Sequence, residues 1–180
     1  MKGFAREDLF FSLCGLNCGL CPMKLDGHCP GCGGGAGNQS CKIARCSLEH
    51  GAPAYCFRCG EYPCERYGER DEYDSFITHQ NRLGDMERAR TAGLENYRTA
   101  LGERRELLEF FLANCNDGRR KTLFYLAASL LTLGSLREIR REAEAMADLP
   151  LKERGTRAAA LLQAAAEREG VLLKLRKKPR

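Results

Sequence analysis

Ten of the eleven cysteines in this 180-residue chain fall between Cys14 and Cys64, and the eleventh, Cys115, stands alone. No other feature restricts the fold as strongly. Over the same stretch the larger apolar residues are few (Leu16, Leu20, Met23, Leu25, Ile43, Leu48, Tyr55, Phe57 and Tyr62), and glycine is concentrated at Gly31, Gly33, Gly34, Gly35 and Gly37. A segment of this size cannot bury enough apolar surface to fold alone, since chains below roughly 40 to 60 residues need a metal or disulfide staple. Met1 to Leu13 carries Lys2, Arg6, Glu7 and Asp8 among its apolar residues, which is unlike a secretory leader. No apolar run approaches the roughly 20 residues that span a bilayer. The expected location is therefore cytoplasmic, with no membrane partner. In that reducing compartment, clustered cysteines serve as metal ligands or redox groups more often than as disulfides.

The spacing supports ligation. Cys18 and Cys21, Cys29 and Cys32, and Cys56 and Cys59 each enclose two residues, while Cys41 and Cys46, and Cys59 and Cys64, enclose four. A two-residue gap turns the chain tightly enough for both sulfurs, and often a backbone N–H to sulfur bond, to converge on one ion. Buried structural thiols are the plainer reading, but they leave the segment with nothing to hold it together. The cleanest expected site is Cys29, Cys32, Cys41 and Cys46, with the flexible Gly33 to Ser40 loop folding one pair onto the other. Cys14, Cys18 and Cys21 then form one triplet and Cys56, Cys59 and Cys64 another; together they supply a second four-sulfur site with two thiols to spare, and which two stays open. All ten are candidate ligands.

Two zinc ions are the preferred cofactors, because zinc accepts a closed tetrahedral thiolate shell and is indifferent to redox state. The alternative is a 4Fe-4S cluster, since Cys21-Pro22 and Cys29-Pro30 place proline directly after a ligand as ferredoxin-like loops do. The Cys14, Cys18, Cys21 spacing also matches the cluster motif of radical S-adenosylmethionine enzymes, but the repeated strand-helix units of such enzymes do not follow it. Ligation also changes the meaning of the formal net charge of +5 and the pI of about 8.7. Each zinc with four thiolates carries −2, so two sites would bring +5 to +1 and remove most of the apparent case for nucleic acid.

At these residues the chain resembles domain-of-unknown-function family 3795, a prokaryotic cysteine-rich family supposed to bind metal. The likeness is carried by Cys-Gly-Leu-Asn-Cys at Cys14 to Cys18, Cys-Pro-Gly-Cys at Cys29 to Cys32, Cys-Lys-Ile-Ala-Arg-Cys at Cys41 to Cys46, and Cys-Phe-Arg-Cys-Gly-Glu-Tyr-Pro-Cys at Cys56 to Cys64. It covers residues 10 to 70 firmly. Over the remainder it is looser, resting on Gly93-Leu94 and Asp117-Gly118-Arg119. It implies metal binding at all ten positions and no particular activity.

From about Asp74 the pattern becomes helical. Helices are expected over Ser75 to Ala92 and Leu94 to Ala113, the second with a stripe of Leu94, Tyr97, Leu101, Leu108 and Leu112. A third, apolar helix through Leu123, Phe124, Leu126, Leu130 and Leu131 takes Asp117 as its N-cap and ends at Gly134. Ser135 and Glu138 form a capping box opening a fourth, which Pro150 closes, and a fifth runs from Lys152 or Thr156 to Lys174. The expected fold is mostly α: an irregular cysteine-rich metal-binding module over 1–68, then a bundle of about five helices over 69–180 with a basic C-terminal tail.

Other features invite plainer readings. His28 and His50 border cysteines but compete with ten thiols, so they are expected beside the ligands or exposed. His79 is expected on a helix surface, and Cys115 as a plain, partly buried thiol. Arg119, Arg120 and Lys121 open a helix against its dipole, and pairing with Glu103, Glu106 and Glu109 is the expected compensation. Tyr55, Phe57 and Tyr62, near Arg58 and Arg66, form either a recognition surface or a small core. The tail residues Lys174, Arg176, Lys177, Lys178 and Arg180 suit a frayed terminus; loose attraction to nucleic acid is weakened by the lack of interleaved aromatics. No Ser-His-Asp set stands out, and the Gly33 to Gly37 run lacks the lysine and strand of a phosphate loop. The expected role is therefore a structural zinc module serving a protein partner rather than an enzyme, with electron transfer or redox sensing by an iron–sulfur protein as the alternative.

Overall fold

The computed structural model describes residues 1–35, 40–70 and 72–178, with the backbone alone at 68–70. Gly37 and Arg180 lie outside the described residues. Within them the chain is helical and contains no strand: α1 (Pro22–Leu25), α2 (Lys42–Glu49), α3 (Arg82–Thr91), α4 (Leu94–Asn114), α5 (Lys121–Leu130), α6 (Leu133–Ala145) and α7 (Leu151–Glu169), with 3-10 turns at Cys18–Leu20, Cys56–Arg58 and Glu65–Arg70. The mostly α expectation agrees with this. Five helices follow Cys64, and two short ones, α1 and α2, lie inside the segment expected to be irregular. None of the described helices is long and apolar enough to cross a membrane.

Two compact units emerge, Met1–Thr99 with the tail from Arg176, and Ala100–Leu175. The change in composition near residue 68 is not where they divide. The reason lies in the first unit's core, to which Phe11, Leu20 and Tyr55 contribute buried side chains from the loops and Met86, Ala89 and Tyr97 contribute theirs from α3 and α4. The Phe11 ring stands 5.5 Å from Tyr55 and 4.6 Å from Tyr97. Gly15, at φ +90°, brings the backbone so close to α3 that a Cβ there would lie 2.8 Å from the Arg82 carbonyl. Buried Asn17 joins both sides, donating to Asp85 at 2.9 Å and accepting from the Tyr97 hydroxyl at 2.8 Å. The cysteine segment thus shares its core with α3 and the opening of α4.

Local side-chain bonding explains the helix boundaries that differ from expectation. The first long helix starts at Arg82, not Ser75, because Asp74 takes the His79 N–H at 2.7 Å and Thr78 takes that of Gln80 at 3.2 Å, diverting those donors from a helical ladder. His79 therefore sits in a loop, where its Nε2 lies 3.1 Å from the Ser75 hydroxyl. Asp117 does not cap α5: it accepts the Arg119 N–H and pairs with Arg120, which also donates to Thr156. Arg120 is thus compensated locally, while Glu103 pairs with Arg137 and Glu109 with Arg105. Thr132, not Ser135, caps α6, and Gly134 falls inside that helix. Pro150 opens α7 as its N-cap, and left-handed Gly170 at φ 67° closes it.

The second unit packs the rest of α4 with α5, α6 and α7. Leu101, Leu108 and Phe111 carry on the stripe of α4, and Phe111 stacks on Phe124 of α5 with ring centroids 5.9 Å apart. Arg104 caps the end of α5 by donating to the Ala128 and Leu131 carbonyls at 2.8 and 2.7 Å. Cys115 is fully buried, and burial raises its pKa.

The tail is not frayed at Arg176. Asp74, whose side chain is 0% exposed, accepts the Arg176 backbone N–H at 2.8 Å and its guanidinium at 2.9 Å. Burial alone would raise the Asp74 pKa, but the bonds from Arg176 and His79 outweigh it and hold the carboxyl below its ordinary 3.8. Because the folded value is depressed, the stability it contributes is complete above the ordinary carboxylate range and disappears as pH falls through the lower folded value. Asp74→Asn is therefore expected to lower the urea midpoint at pH 7, with the gap to the parent protein closing below about pH 3.8. A gap independent of pH would contradict this linkage.

Candidate metal centre

The ten clustered thiols stand in two loose groups of the first unit. In one, Cys18 lies close enough to Cys14, Cys21 and Cys32 for their charges to interact, and Cys21 interacts likewise with Cys29. In the other, Cys46, Cys56, Cys59 and Cys64 line one small cavity of about 20 Å³ with His50 and Tyr67. Cys14 stands between the two, since it also interacts with Cys56. Cys41 packs with Cys14, Cys32 and Cys56 against the buried cluster of Leu13, Ile43 and Ala44. Among the described residues, no three cysteine, histidine or acidic side chains converge as they stand to ion-binding distance.

This grouping differs from the expected set of Cys29, Cys32, Cys41 and Cys46. Helix α2 is the reason: Cys41 is its N-cap and Cys46 lies five residues further on. At 100° per residue the two are about 140° apart around the axis, so the helix turns Cys46 away from its sequence neighbour. Cys46 instead faces the Cys56–Arg58 turn and the residues that follow it. Backbone N–H groups meet three of the sulfurs. Gly31 N–H lies 3.4 Å from Cys29 Sγ, the Cys32 N–H bonds the Cys18 sulfur, and Met23 and Lys24 N–H groups bond that of Cys21. Such bonds favour the thiolate.

Burial opposes them. It raises the Cys18 thiol strongly, and the neighbouring Cys32, Cys14 and Cys21 add to the effect. Cys56 is pushed up to about 12, first by burial and then by Cys14, Cys64 and Cys46, against a hydrogen bond from Tyr67. Were several of these thiols deprotonated together, a cation would have to balance them. Tyr67 adds a separate observation: its hydroxyl is buried without a conventional hydrogen-bond partner, and its electrostatic partner is the Cys56 thiol. A thiolate fixed on an ion would accept that proton, so the donor set and its surroundings fit a thiolate-bound metal.

His50 belongs to the second group's edge. Its Nδ1 lies 2.8 Å from the Cys46 carbonyl and 3.5 Å from the Cys46 sulfur, and its Nε2 lies 3.3 Å from Glu61. The Cys46 carbonyl and Glu61 together raise its pKa. His28 is exposed. Of the aromatics, Tyr55 is core, stacked between Phe11 and Phe57 at 5.5 and 5.3 Å, and Tyr62 meets Tyr67 edge-on at 5.5 Å. Tyr67 was missed by sequence reasoning; only its place three residues after Cys64 could have signalled it. Comparison with family models, curated proteins and solved structures gives no match for this chain.

Proposed function

We propose that the first unit is a structural metal module that presents a surface to a protein partner, with zinc as the ion. The reading rests on the cavity lined by Cys46, Cys56, Cys59 and Cys64, with the buried Tyr67 hydroxyl directed at the Cys56 thiol beside it. Those four would hold one ion. A second ion would draw four ligands from Cys14, Cys18, Cys21, Cys29 and Cys32, leaving one of those five and Cys41 to spare. The ion supplies positive charge and fixed bonds between segments. The protein's own residues do the rest: Tyr67 would donate to a Cys56 thiolate, backbone N–H groups donate to Cys18, Cys21 and Cys29, and Leu13, Ile43 and Ala44 back the ligands with apolar packing. An all-sulfur closed shell suits a structural role, since a catalytic zinc keeps an open position. The sequence likeness to domain-of-unknown-function family 3795 points the same way.

Elemental analysis of protein purified without oxygen tests the reading. Colourless protein with about two zinc ions per chain is expected. Brown protein containing iron and acid-labile sulfide would instead favour the iron–sulfur alternative, and ordered protein free of both metals would refute ligation altogether.

A further inference from the structure

A cavity of about 340 Å³ opens in the first unit, and none of the roles above uses it. Its wall includes Arg6, Glu7, Asp8, Tyr55, Arg58 and Arg98, and the charges there do not cancel. Asp8 is saturated: Oδ1 accepts the Phe10 and Phe11 N–H groups at 2.9 Å each, and Oδ2 accepts the Tyr55 hydroxyl at 2.6 Å and Arg98 Nε at 3.0 Å. Arg98 is occupied in turn, pairing with both Asp8 and Glu95.

Arg6 is held in another way. Its guanidinium lies 4.9 Å from the centre of the Tyr55 ring and donates to the carbonyls of Asp8, Phe11 and Ala54, each at 3.0 Å. It also donates to the Cys32 sulfur; the three carbonyls fix its direction without neutralising its charge. Arg58 is exposed, and its guanidinium makes no hydrogen bond or ion pair among the described residues. Against these two cations the wall offers one carboxylate that is not already saturated, Glu7.

We infer that this cavity is a binding site for a small organic anion carrying a carboxylate or phosphate group, held by Arg58 and the preoriented Arg6. Its volume falls within the range of small-molecule sites. A guanidinium presents several N–H donors in a plane, which matches the oxygens of either group. Tyr55 fixes the floor, since it is 2% exposed and bonded to Asp8 and Arg98. Glu7 restricts the charge the site tolerates, so a single anionic head is favoured over a polyanion. The inference does not depend on the identity of the metal.

Amide chemical shifts of the full-length, metal-loaded protein at low ionic strength provide the test, titrated with inorganic phosphate in one arm and succinate in the other, against sodium chloride at matched ionic strength. Saturable shifts around Arg6 and Arg58 are expected in at least one arm, and the arm that saturates identifies the head group. Arg58→Gln should weaken that binding by about tenfold, and Glu7→Gln should strengthen it about twofold to threefold. Both residues are exposed, so the variants are expected to keep the parent's spectrum elsewhere and its metal content. The inference is overturned if neither probe saturates beyond the chloride control, or if both variants bind like the parent.

Discussion

Removing the metal from the purified protein with a strong chelator is expected to unfold the cysteine segment of the first unit while α5, α6 and α7 keep their helical structure. Structural zinc in small thiolate modules contributes on the order of 10 kcal/mol of apparent folding free energy at neutral pH. That exceeds the roughly 5 to 15 kcal/mol by which a whole domain is usually stable only at the low end of the range, but it is large enough to decide the state of one small unit. The effect should not stop at Cys64. Phe11, Tyr55, Met86 and Tyr97 are buried in one core, and Asn17 bonds both Asp85 and Tyr97, so α3 is expected to lose protection with the cysteine loops. Hydrogen exchange resolved by peptide, before and after chelation, gives the readout. Unchanged protection of residues 1–99 in protein shown to be free of metal would disprove the stapling argument.

Gly155→Ala is expected to produce the second largest effect, and in the other unit. Gly155 lies in α7 where that helix passes the end of α4, and an added Cβ would stand 2.3 Å from the Cys115 carbonyl oxygen. The opposing atom is backbone, so a side-chain rotation cannot relieve the clash. Either α7 shifts or the α4 end does, and Arg154 ties the two places together by donating to the Asn114 carbonyl at 2.5 Å and to that of Ala147 at 2.7 Å. Alanine is otherwise the better helix former by about 1 kcal/mol, so the sign is diagnostic. Overpacking of this kind costs about 1 to 3 kcal/mol or more, and the melting temperature of the second unit should fall. A stabilised variant would mean that the two helices separate at no cost.

The helical character of residues 82–169 was legible because apolar residues recur at helical spacing, and α4 appeared within one residue of its expected limits. Other boundaries were less legible. Thr132 caps α6 rather than Ser135 because Glu169, thirty-seven residues away, accepts from both its backbone N–H and its hydroxyl. Likewise Asp74 is held by Arg176 across 102 residues of sequence, which ordered a tail that composition alone assigned to solvent. Local propensity does not contain such partners.

The same distinction applies to the candidate site. Cysteine spacing alone located the ten thiols and the tight turns, because a two-residue gap limits how far apart two sulfurs can lie. It could not say which pairs meet, since that depends on the 140° rotation between Cys41 and Cys46 along α2. Tyr67 and the arginine-lined cavity were hidden for a similar reason: Arg58 stood out only beside its aromatic neighbours, and Arg6 and Arg98 join it only when α4 packs beside the amino-terminal loop.

By itself, then, the sequence determined that the chain is mostly helical and that its amino-terminal third is too poor in apolar residues to form a core unaided. Tertiary structure decided where the two units divide, which thiols share a neighbourhood, and which charges remain uncompensated. Periodicity and spacing act over a few residues and can be read along the chain, whereas core sharing and charge pairing depend on contacts between segments tens of residues apart.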